Sequence, residues 1–324
     1  MFQSIQPDRM PALLVSGHGT ADQEGVDEFM ALVDICAQMR PEIDVRAGFI
    51  ELSPPPLGES IAELYAKGHK HMISVPLMLF DAGHSKTDIP ASLNIGKSQH
   101  PGLDITYAKP LGIHTSLIEA INKRLEAAVP VDERKETAVL IVGRGASDPA
   151  SNSRVAQVAR LIWEGRDWPE TEIAFIGITR PSLQEGLDKL KRLGYKKIVV
   201  IAYFLFTGVL EQRIRNQSLE WAKANNIDLT VADYFGPDPL IAEMVWLRYD
   251  ETVTGAIDRD CDTCIHRFKT DGFEHKLNAP LVPHEHPDDP NTHGHHHGHG
   301  HTHGHGHHHA HGHGHDHGGH RHEH

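Results

Sequence analysis

Short apolar runs alternate along this chain with longer segments in which apolar residues recur at the spacing of a helix. The run ALLVSG ends in glycine and has the composition of a buried strand, whereas VDEFMALVDICAQM, which follows it, has helical periodicity. The next segments continue the alternation, with strands predicted at DVRAGFIEL, HMISVPLMLF and LDITYA and a glycine-closed helix at LGESIAELYAKG. Because alternating strands and helices form parallel sheets joined by right-handed crossovers, we predict an α/β fold.

The alternation occurs twice, at an offset of 126 residues that pairs Gly68 with Gly194 and Phe80 with Phe206. The second copy contains the apolar runs AVLIVG, EIAFIGI, KKIVVIAYFLF and DLTVADY. We therefore predict two tandem flavodoxin-like domains with parallel sheets, related by internal duplication and facing each other as a pseudo-dimer. The predicted segments are 1–132 for the first domain, 133–254 for the second, 255–279 for a C-x-x-C extension and 280–324 for a disordered histidine-rich tail.

Three side chains that can bind metal lie at or just after the ends of the first three predicted strands of the first copy, and the second copy lacks all three. Ligands of open parallel sheets bind beyond the carboxyl ends of the strands, so these positions share one rim. A duplicated ancestor that kept one active site explains why the three are lost together. The pairs at the offset of 126 residues are His18 with Arg144, Glu51 with Gly177 and His84 with Leu210.

Two imidazoles and one carboxylate suit a borderline divalent ion such as cobalt, nickel, iron or zinc. His18 lies between Gly17 and Gly19, which would let a flat ligand approach the backbone closely. Each residue alone also has an ordinary structural explanation, as a hydrogen-bonded loop histidine or an exposed glutamate at a strand end. Their combination at adjacent strand ends favours an active site in the first copy, with His18, Glu51 and His84 as metal ligands and catalytic groups.

The segments LLVSGHGTAD, GFIELSPPPL and PLMLFDAGHSKTDIP resemble the class II chelatases, in particular the long form of the sirohydrochlorin cobaltochelatases. The resemblance extends over about residues 12–268. It implies that His18 and His84 handle the metal and that a carboxylate at the place of Glu51 contributes. It also implies a reaction, the insertion of Co²⁺ into sirohydrochlorin with release of two protons, on the anaerobic branch of cobalamin synthesis.

These residues can carry out that chemistry. Metallation removes two pyrrole N–H protons while a hydrated ion loses its water, and imidazole, with a reference pKa of about 6.5, can accept protons near neutrality. Which histidine holds the ion and which takes protons stays open. The substrate carries many carboxylates, so cationic residues of the rim are expected to help bind it. The substrate-binding candidates are Gly17, Gly19, Ser85, Lys86 and Arg144, with Arg180 and Arg213 as further rim cations.

The extension contains Cys261 and Cys264 in a C-x-x-C spacing that permits two thiolates on one metal or cluster. Long cobaltochelatases often carry Met-x-Cys-x-x-Cys here, linked to an iron–sulfur cluster, but Arg259 stands at the place of the methionine. Two cysteines do not complete a four-thiolate site, so a cluster would need a second subunit or other ligands. A purely structural or vestigial role for both cysteines is the alternative.

The tail from residue 280 is dominated by histidine and glycine. Its imidazoles are expected to bind additional divalent metal such as nickel, cobalt, copper or zinc. We predict storage or local delivery of metal as its role. An engineered purification tag is the alternative, although the tract is long, irregular and interleaved with other residue types.

Composition limits the classes of molecule that the protein is expected to bind. The formal net charge is −13 and no basic patch stands out, which argues against nucleic acid. No apolar run is long enough to span a bilayer and no signal-peptide pattern begins the chain, so a cytoplasmic protein is expected. A monomer suffices for catalysis, whereas a shared cluster would require a homodimer. Rival interpretations are a sirohydrochlorin ferrochelatase, a nickel chelatase, and a non-enzymatic protein that buffers or stores metal.

Overall fold

The structure is a computed structural model and describes residues 10–80, 88–255 and 274–277. Its strands are β1 Ala12–Gly17, β2 Val45–Phe49, β3 His71–Pro76, β4 Asp104–Tyr107, β5 Thr137–Gly143, β6 Thr171–Phe175, β7 Lys197–Ala202 and β8 Asp228–Ala232. Its helices are α1 Gln23–Met39, α2 Leu57–Ala66, α3 Asp88–Gln99, α4 Thr115–Ala128, α5 Pro149–Trp163, α6 Leu183–Arg192, α7 Val209–Asn225 and α8 Pro239–Thr254, with 3₁₀ helices at Val131–Glu136 and Glu274–Lys276. None of the helices within these ranges is both long and apolar enough to cross a membrane.

The strands form two four-stranded parallel sheets with the same order, β2-β1-β3-β4 in the first and β6-β5-β7-β8 in the second. Gly17 pairs with Phe49 in the first sheet, and Gly143 pairs with Phe175 in the second, so the register also repeats at an offset of 126 residues. This is the order of the first four strands of a flavodoxin-like sheet. The predicted fold, with two duplicated parallel sheets, is confirmed.

The central strands β1 and β5 are uninterrupted apolar runs, which are stable where helices cover both faces of a sheet. Every residue of both strands is buried. The helices that follow them begin at matching aspartates, because the side chains of Asp22 and Asp148 each accept a hydrogen bond from the backbone N–H two residues later. His18 and Arg144 therefore both lie in short loops between a buried strand and a capped helix.

The last helix of each half packs against the other half. α8 lies against α1 and β3, where the hydroxyl of Tyr249 donates a hydrogen bond to the carbonyl oxygen of Pro11 at 2.6 Å. α4 lies against α5 and β8, where Arg124 donates to the carbonyl oxygen of Tyr234 at 2.6 Å and forms an ion pair with Asp238 at 2.9 Å. One apolar core includes residues of both sheets, so this exchange fixes the two rims relative to each other.

Four of the predicted strands end three or four residues earlier than the sequence pattern indicated, β2 and β3 in the first half and β6 and β7 in the second. β2 ends at Phe49, because the chain turns sharply at Leu52, whose φ of 64° is incompatible with a strand. β3 ends at Pro76, where the backbone N–H of Met78 donates to the carbonyl oxygen of Pro76 at 2.9 Å and the chain turns. Glu51 and Phe80 are therefore loop residues rather than strand residues.

Candidate active site

A cleft of about 910 Å³ lies at the carboxyl ends of both sheets. The loops after β1, β2 and β3 line it from the first half, and the loops after β5, β6 and β7 line it from the second. Many of the lining side chains are apolar, including the stacked rings of Phe80 and Tyr203, whose centroids are 5.4 Å apart. The cleft thus has the size and the mostly apolar walls of a small-molecule site, with a few polar groups at its edges.

His18 lines the first-half rim of this cleft, where it meets Glu51, which lies beside the cleft but does not itself line it. The Nε2 atom of His18 lies 3.0 Å from Oε1 of Glu51, and the Nδ1 atom lies 3.0 Å from the carbonyl oxygen of Gly19. A proton on Nδ1 donated to that carbonyl would leave the lone pair of Nε2 facing the carboxylate. Late first-row ions bind imidazole nitrogen and carboxylate oxygen at about 2.0–2.2 Å, which places adjacent ligand atoms about 3 Å apart. The observed separation therefore suits an ion held by both groups.

The backbone positions this pair by extending the strand ladder. The N–H of Ile50 donates to the carbonyl oxygen of Gly17, and the N–H of Glu51 donates to that of His18, each at 3.1 Å. The hydroxyl of Ser53 ties the same two loops together, since it donates to the carbonyl oxygen of Thr20 at 2.7 Å and accepts from the N–H of Thr20 at 2.9 Å. Both side chains remain accessible, with 30% of His18 and 54% of Glu51 exposed.

Gly17 and Gly19 are required by the packing of the protein itself. Gly19 has a φ of +97°, and a Cβ atom added there would overlap the carbonyl oxygen of Glu51. A Cβ atom at Gly17 would lie 2.6 Å from the ring of Phe29 on α1. Any other residue at position 19 would push apart the two loops that hold His18 and Glu51. Both glycines line the cleft, and their contact with a flat ligand stays a prediction.

The second half repeats the loop geometry without the ligands. Ile176 donates to the carbonyl oxygen of Gly143 at 3.0 Å, as Ile50 does in the first half. Arg144 is exposed, lines the cleft and forms no ion pair with the residues that the structure describes. A Cβ atom at Gly177 would overlap the carbonyl oxygen of Arg144, so the position equivalent to Glu51 has no room for a side chain.

Among the other predicted rim cations, Arg180 forms an ion pair with Glu185 on α6 and does not line the cleft. Arg213 is exposed on α7 and also does not line it. The remaining predicted residues fall outside the described ranges. They are His84, Ser85 and Lys86, the two cysteines Cys261 and Cys264, and the tail 280–324. Within the described ranges, no group of three His, Cys, Asp or Glu side chains could hold a metal ion.

Sequence reasoning missed four residues that line the cleft. Leu52 and Ile178 occupy equivalent positions after β2 and β6, and they are 66% and 79% exposed although they are apolar. Their signal was an aliphatic residue three positions beyond the end of the second strand in both copies. Tyr203 and Glu211 are buried polar residues of the second half. Glu211 shares a helical face with the buried residues Ile214 and Ser218, and a carboxylate on such a face was the signal.

The family model named CbiX matches residues 12–128 and, a second time, residues 138–252. The chain belongs to the CbiX family. The two matches each span one sheet with its helices, which agrees with the duplication found in the strand order and register.

Relatives of known name are chelatases. The chain is 36% identical to a sirohydrochlorin cobaltochelatase of Priestia megaterium, over 80% of this chain and 85% of that protein. It is 30% identical to a sirohydrochlorin ferrochelatase of the same organism, over 71% of this chain and 85% of that protein. Among solved structures it is similar to SirB from Bacillus subtilis with Fe³⁺, with a TM-score of 0.69, 28% identity and coverage of 78% of this chain and 100% of SirB.

Proposed function

We propose that this CbiX-family protein inserts Co²⁺ into sirohydrochlorin, with release of two protons, in anaerobic cobalamin synthesis. One observation carries the proposal: a histidine nitrogen and a carboxylate oxygen stand 3.0 Å apart at the rim of a two-sided, largely apolar cleft. A metal-binding pair beside a slot for a flat apolar ring is what metallation of a tetrapyrrole needs. The similarity to a cobaltochelatase at 36% identity supports cobalt as the substrate metal.

The roles of the site residues follow from their chemistry. His18 Nε2 and Glu51 Oε1 hold the incoming ion as it loses water, and His84, which follows β3 in the sequence, is proposed as the third ligand or as a proton acceptor. The exposed guanidinium of Arg144 binds a carboxylate of the substrate from the opposite rim. Ser85 and Lys86 are proposed to bind the substrate beside His84. The apolar walls, including Leu52 and Ile178, hold the macrocycle between the two halves.

Iron insertion is the second candidate, because a sirohydrochlorin ferrochelatase is 30% identical to this chain. Imidazole and carboxylate ligands bind cobalt, nickel and iron alike, so the ligand set does not select among them. Competition between Co²⁺, Fe²⁺ and Ni²⁺ at equal concentration, with the product identified by its absorbance, ranks the metals. Faster insertion of iron or nickel than of cobalt would move the assignment to that metal.

The experiment that tests the function is anaerobic metallation of sirohydrochlorin by the purified protein, followed by absorbance. We expect His18→Ala and Glu51→Gln to lower the rate by about 100-fold or more, because each removes a metal ligand or a proton acceptor. His71→Ala is the matched control, since His71 is exposed at the opposite, amino-terminal end of β3. A wild-type rate no higher than that of the uncatalysed reaction would refute the chelatase assignment and favour the metal-buffering alternative.

We further propose that the histidine-rich segment 280–324 stores or delivers metal. A protein that ends at Phe268 should keep its rate at saturating cobalt and lose rate at limiting cobalt. Complete loss of activity at saturating cobalt would contradict a storage role.

We propose Cys261 and Cys264 as ligands of an iron–sulfur cluster shared between two chains. The iron content and oligomeric state of Cys261→Ser measure this directly. Unchanged values for both would leave the cysteines a structural role. Catalysis itself requires one chain, because both walls of the cleft come from the same molecule. We propose two domains, 1–132 and 133–254, which follow the duplication, with the active site on the first. We also propose that the protein is located in the cytoplasm.

A further inference from the structure

Glu211 places a buried carboxylate in the wall of the cleft, in the half that lacks the His18–Glu51 pair. It stands in the first turn of α7, lines the cleft and is only 4% exposed. Its Oε1 atom forms an ion pair with Arg215, one turn further along α7, whose Nε atom lies 3.5 Å away, but it accepts no well-formed hydrogen bond. A buried carboxylate whose only charged partner is one half-exposed arginine is costly to keep ionised.

The surroundings of Glu211 favour its protonated form. Burial is the largest cause that raises its pKa, and the negative charges of Asp233 and Glu28 raise it further, whereas Arg215 lowers it. Asp233 follows β8 and is exposed, so its charge is in contact with solvent. The carboxylate of Glu211 therefore binds a proton more readily than a surface glutamate does.

A second set of polar groups, near enough for its charge to act on Glu211, connects the first half of the protein with the second. Glu28 on α1 accepts hydrogen bonds from the backbone N–H of Thr207 at 2.8 Å and from the hydroxyl of Tyr234 at 2.7 Å. Tyr203, 5% exposed, also lines the cleft, and its hydroxyl has no hydrogen-bond partner among the described residues. Two buried polar atoms without hydrogen bonds thus line one cleft, Oε1 of Glu211 and the hydroxyl oxygen of Tyr203.

We propose that Glu211 accepts one of the two pyrrole protons that the metal displaces. The inference rests on the proposed chelatase function and adds a proton acceptor on the wall opposite the metal ligands. In the step, a pyrrole N–H bond breaks, an O–H bond forms on the carboxylate of Glu211, and the nitrogen electron pair that remains binds the metal ion. No electron is transferred to or from the protein, and the proton leaves to solvent after the product dissociates.

The test compares Glu211→Gln with Glu220→Gln, which makes the same change of charge on the exposed face of the same helix. We expect Glu211→Gln to lower kcat by about 10- to 100-fold, since an amide cannot accept the proton, and to leave KM for sirohydrochlorin within about twofold. The melting temperature should hold or rise, because the substitution removes a buried charge. Glu220→Gln should match wild type in all three measurements.

The pH profile and chemical rescue separate a proton acceptor from a structural residue. In wild type, we expect kcat to fall at low pH as Glu211, which has Arg215, Asp233, Glu28 and Tyr234 around it, becomes protonated in the enzyme–substrate complex and can no longer accept a pyrrole proton. The variant should lose this contribution and show a shallower acidic limb. In Glu211→Ala, added acetate should restore part of the lost kcat.

Two outcomes overturn the inference. One is a folded Glu211→Gln protein with kcat within twofold of wild type. The other is loss of kcat together with a lowered melting temperature and no rescue of Glu211→Ala by acetate, which assigns Glu211 to the fold. Either result leaves the chelatase function standing if wild type metallates sirohydrochlorin and His18→Ala does not.

Discussion

The two halves of this protein share a framework but carry different side chains at the rim of the cleft. Strand order, register and the aspartate caps of α1 and α5 repeat at an offset of 126 residues. At the carboxyl ends of the strands, the first half presents His18 and Glu51, and the second presents Arg144 and Gly177. The buried strands have little freedom to diverge, because they pack on both faces, whereas rim loops can change without loss of the core. Duplication thus gave one cleft two unlike walls.

The largest effect is expected from exchanging the two rim residues. His18→Arg should abolish metallation, a loss of about 100-fold or more, because a guanidinium neither ligates the ion nor accepts a proton. Arg144→His should not create a second metal site, since Gly177 supplies no carboxylate beside it. Its effect should be a raised KM for the polycarboxylate substrate, with little change in kcat.

The combined variant His18→Arg with Arg144→His decides whether the halves are interchangeable. We expect it to be as inactive as His18→Arg alone, in the same absorbance assay, with circular dichroism as the check on folding. Recovery of activity in the combined variant would mean that either wall of the cleft can carry the metal-binding histidine. That result would contradict the proposal that only the first half holds the metal.

A smaller effect follows from the glycine that brings the two first-half loops together. Gly19 and Gly194 both have a φ of +97°, but only Gly19 lies where a Cβ atom would overlap the carbonyl oxygen of Glu51. Gly194→Ala should cost about 1–2 kcal/mol of unfolding free energy, the cost of the left-handed backbone alone. Gly19→Ala should cost about 1–3 kcal/mol more and should also impair metallation. Equal losses for the two variants, measured by urea unfolding, would show that the loops of His18 and Glu51 are not in close packing.

Much of this framework was predictable because it rests on local patterns. Buried strands appear as apolar runs, and the repeat fixed which strand ends are equivalent, so the approach of His18 to Glu51 followed from β1 and β2 being neighbours. The ends of strands were less predictable. β2 stops at Phe49 because of the turn at Leu52, whose backbone conformation does not show in an aliphatic side chain.

The rest depends on contacts between distant parts of the chain. Nothing in the pattern of α8 indicates that it packs on the first half, since that arrangement depends on contacts such as the one between Tyr249 and Pro11. Glu211 escaped notice for a related reason. The repeat aligns it with Ser85, so a comparison of metal ligands passes over it, and its burial arises only when α7 closes the cleft.

The apolar residues at the mouth of the cleft offer a test of its symmetry. Leu52 and Ile178 are exposed at equivalent positions of the two halves, where each can contact one face of a flat ring. Leu52→Ser and Ile178→Ser should each raise KM for sirohydrochlorin about fivefold, as expected for loss of about 1 kcal/mol of apolar contact, with kcat nearly unchanged. The double variant should multiply the two effects. The control is Leu193→Ser, because Leu193 is exposed and lies away from the cleft. An equal rise in KM for this variant would show that Leu52 and Ile178 do not act by contact with the ring.

The halves also differ at the opposite edge of the sheets. His69 is buried, and its Nε2 atom lies 2.6 Å from Oδ2 of Asp44, whose Oδ1 atom accepts a hydrogen bond from Lys67 at 3.0 Å. The equivalent positions in the second half are Glu170 and Tyr195, so a neutral phenol replaces the imidazole. At this edge of the sheets, an acid-sensitive contact between an aspartate and a histidine is therefore expected in the first half and has no equivalent in the second.

The smallest effect is predicted for Asp44→Asn. Hydrogen bonds from His69 and Lys67 lower the pKa of Asp44 to about 2, below the value of about 3.9 for an unfolded chain. A lowered pKa stabilises the fold above pH 4, and this contribution is lost as the pH falls from about 4 to about 2. After allowance for solvent screening, Asp44→Asn should cost about 1 kcal/mol at pH 7 and nothing near pH 2, measured by urea unfolding. Glu170→Gln should lower the free energy of unfolding by less at pH 7, because no cation pairs with Glu170 among the described residues. An equal or larger loss for Glu170→Gln would mean that this edge is stabilised alike in the two sheets.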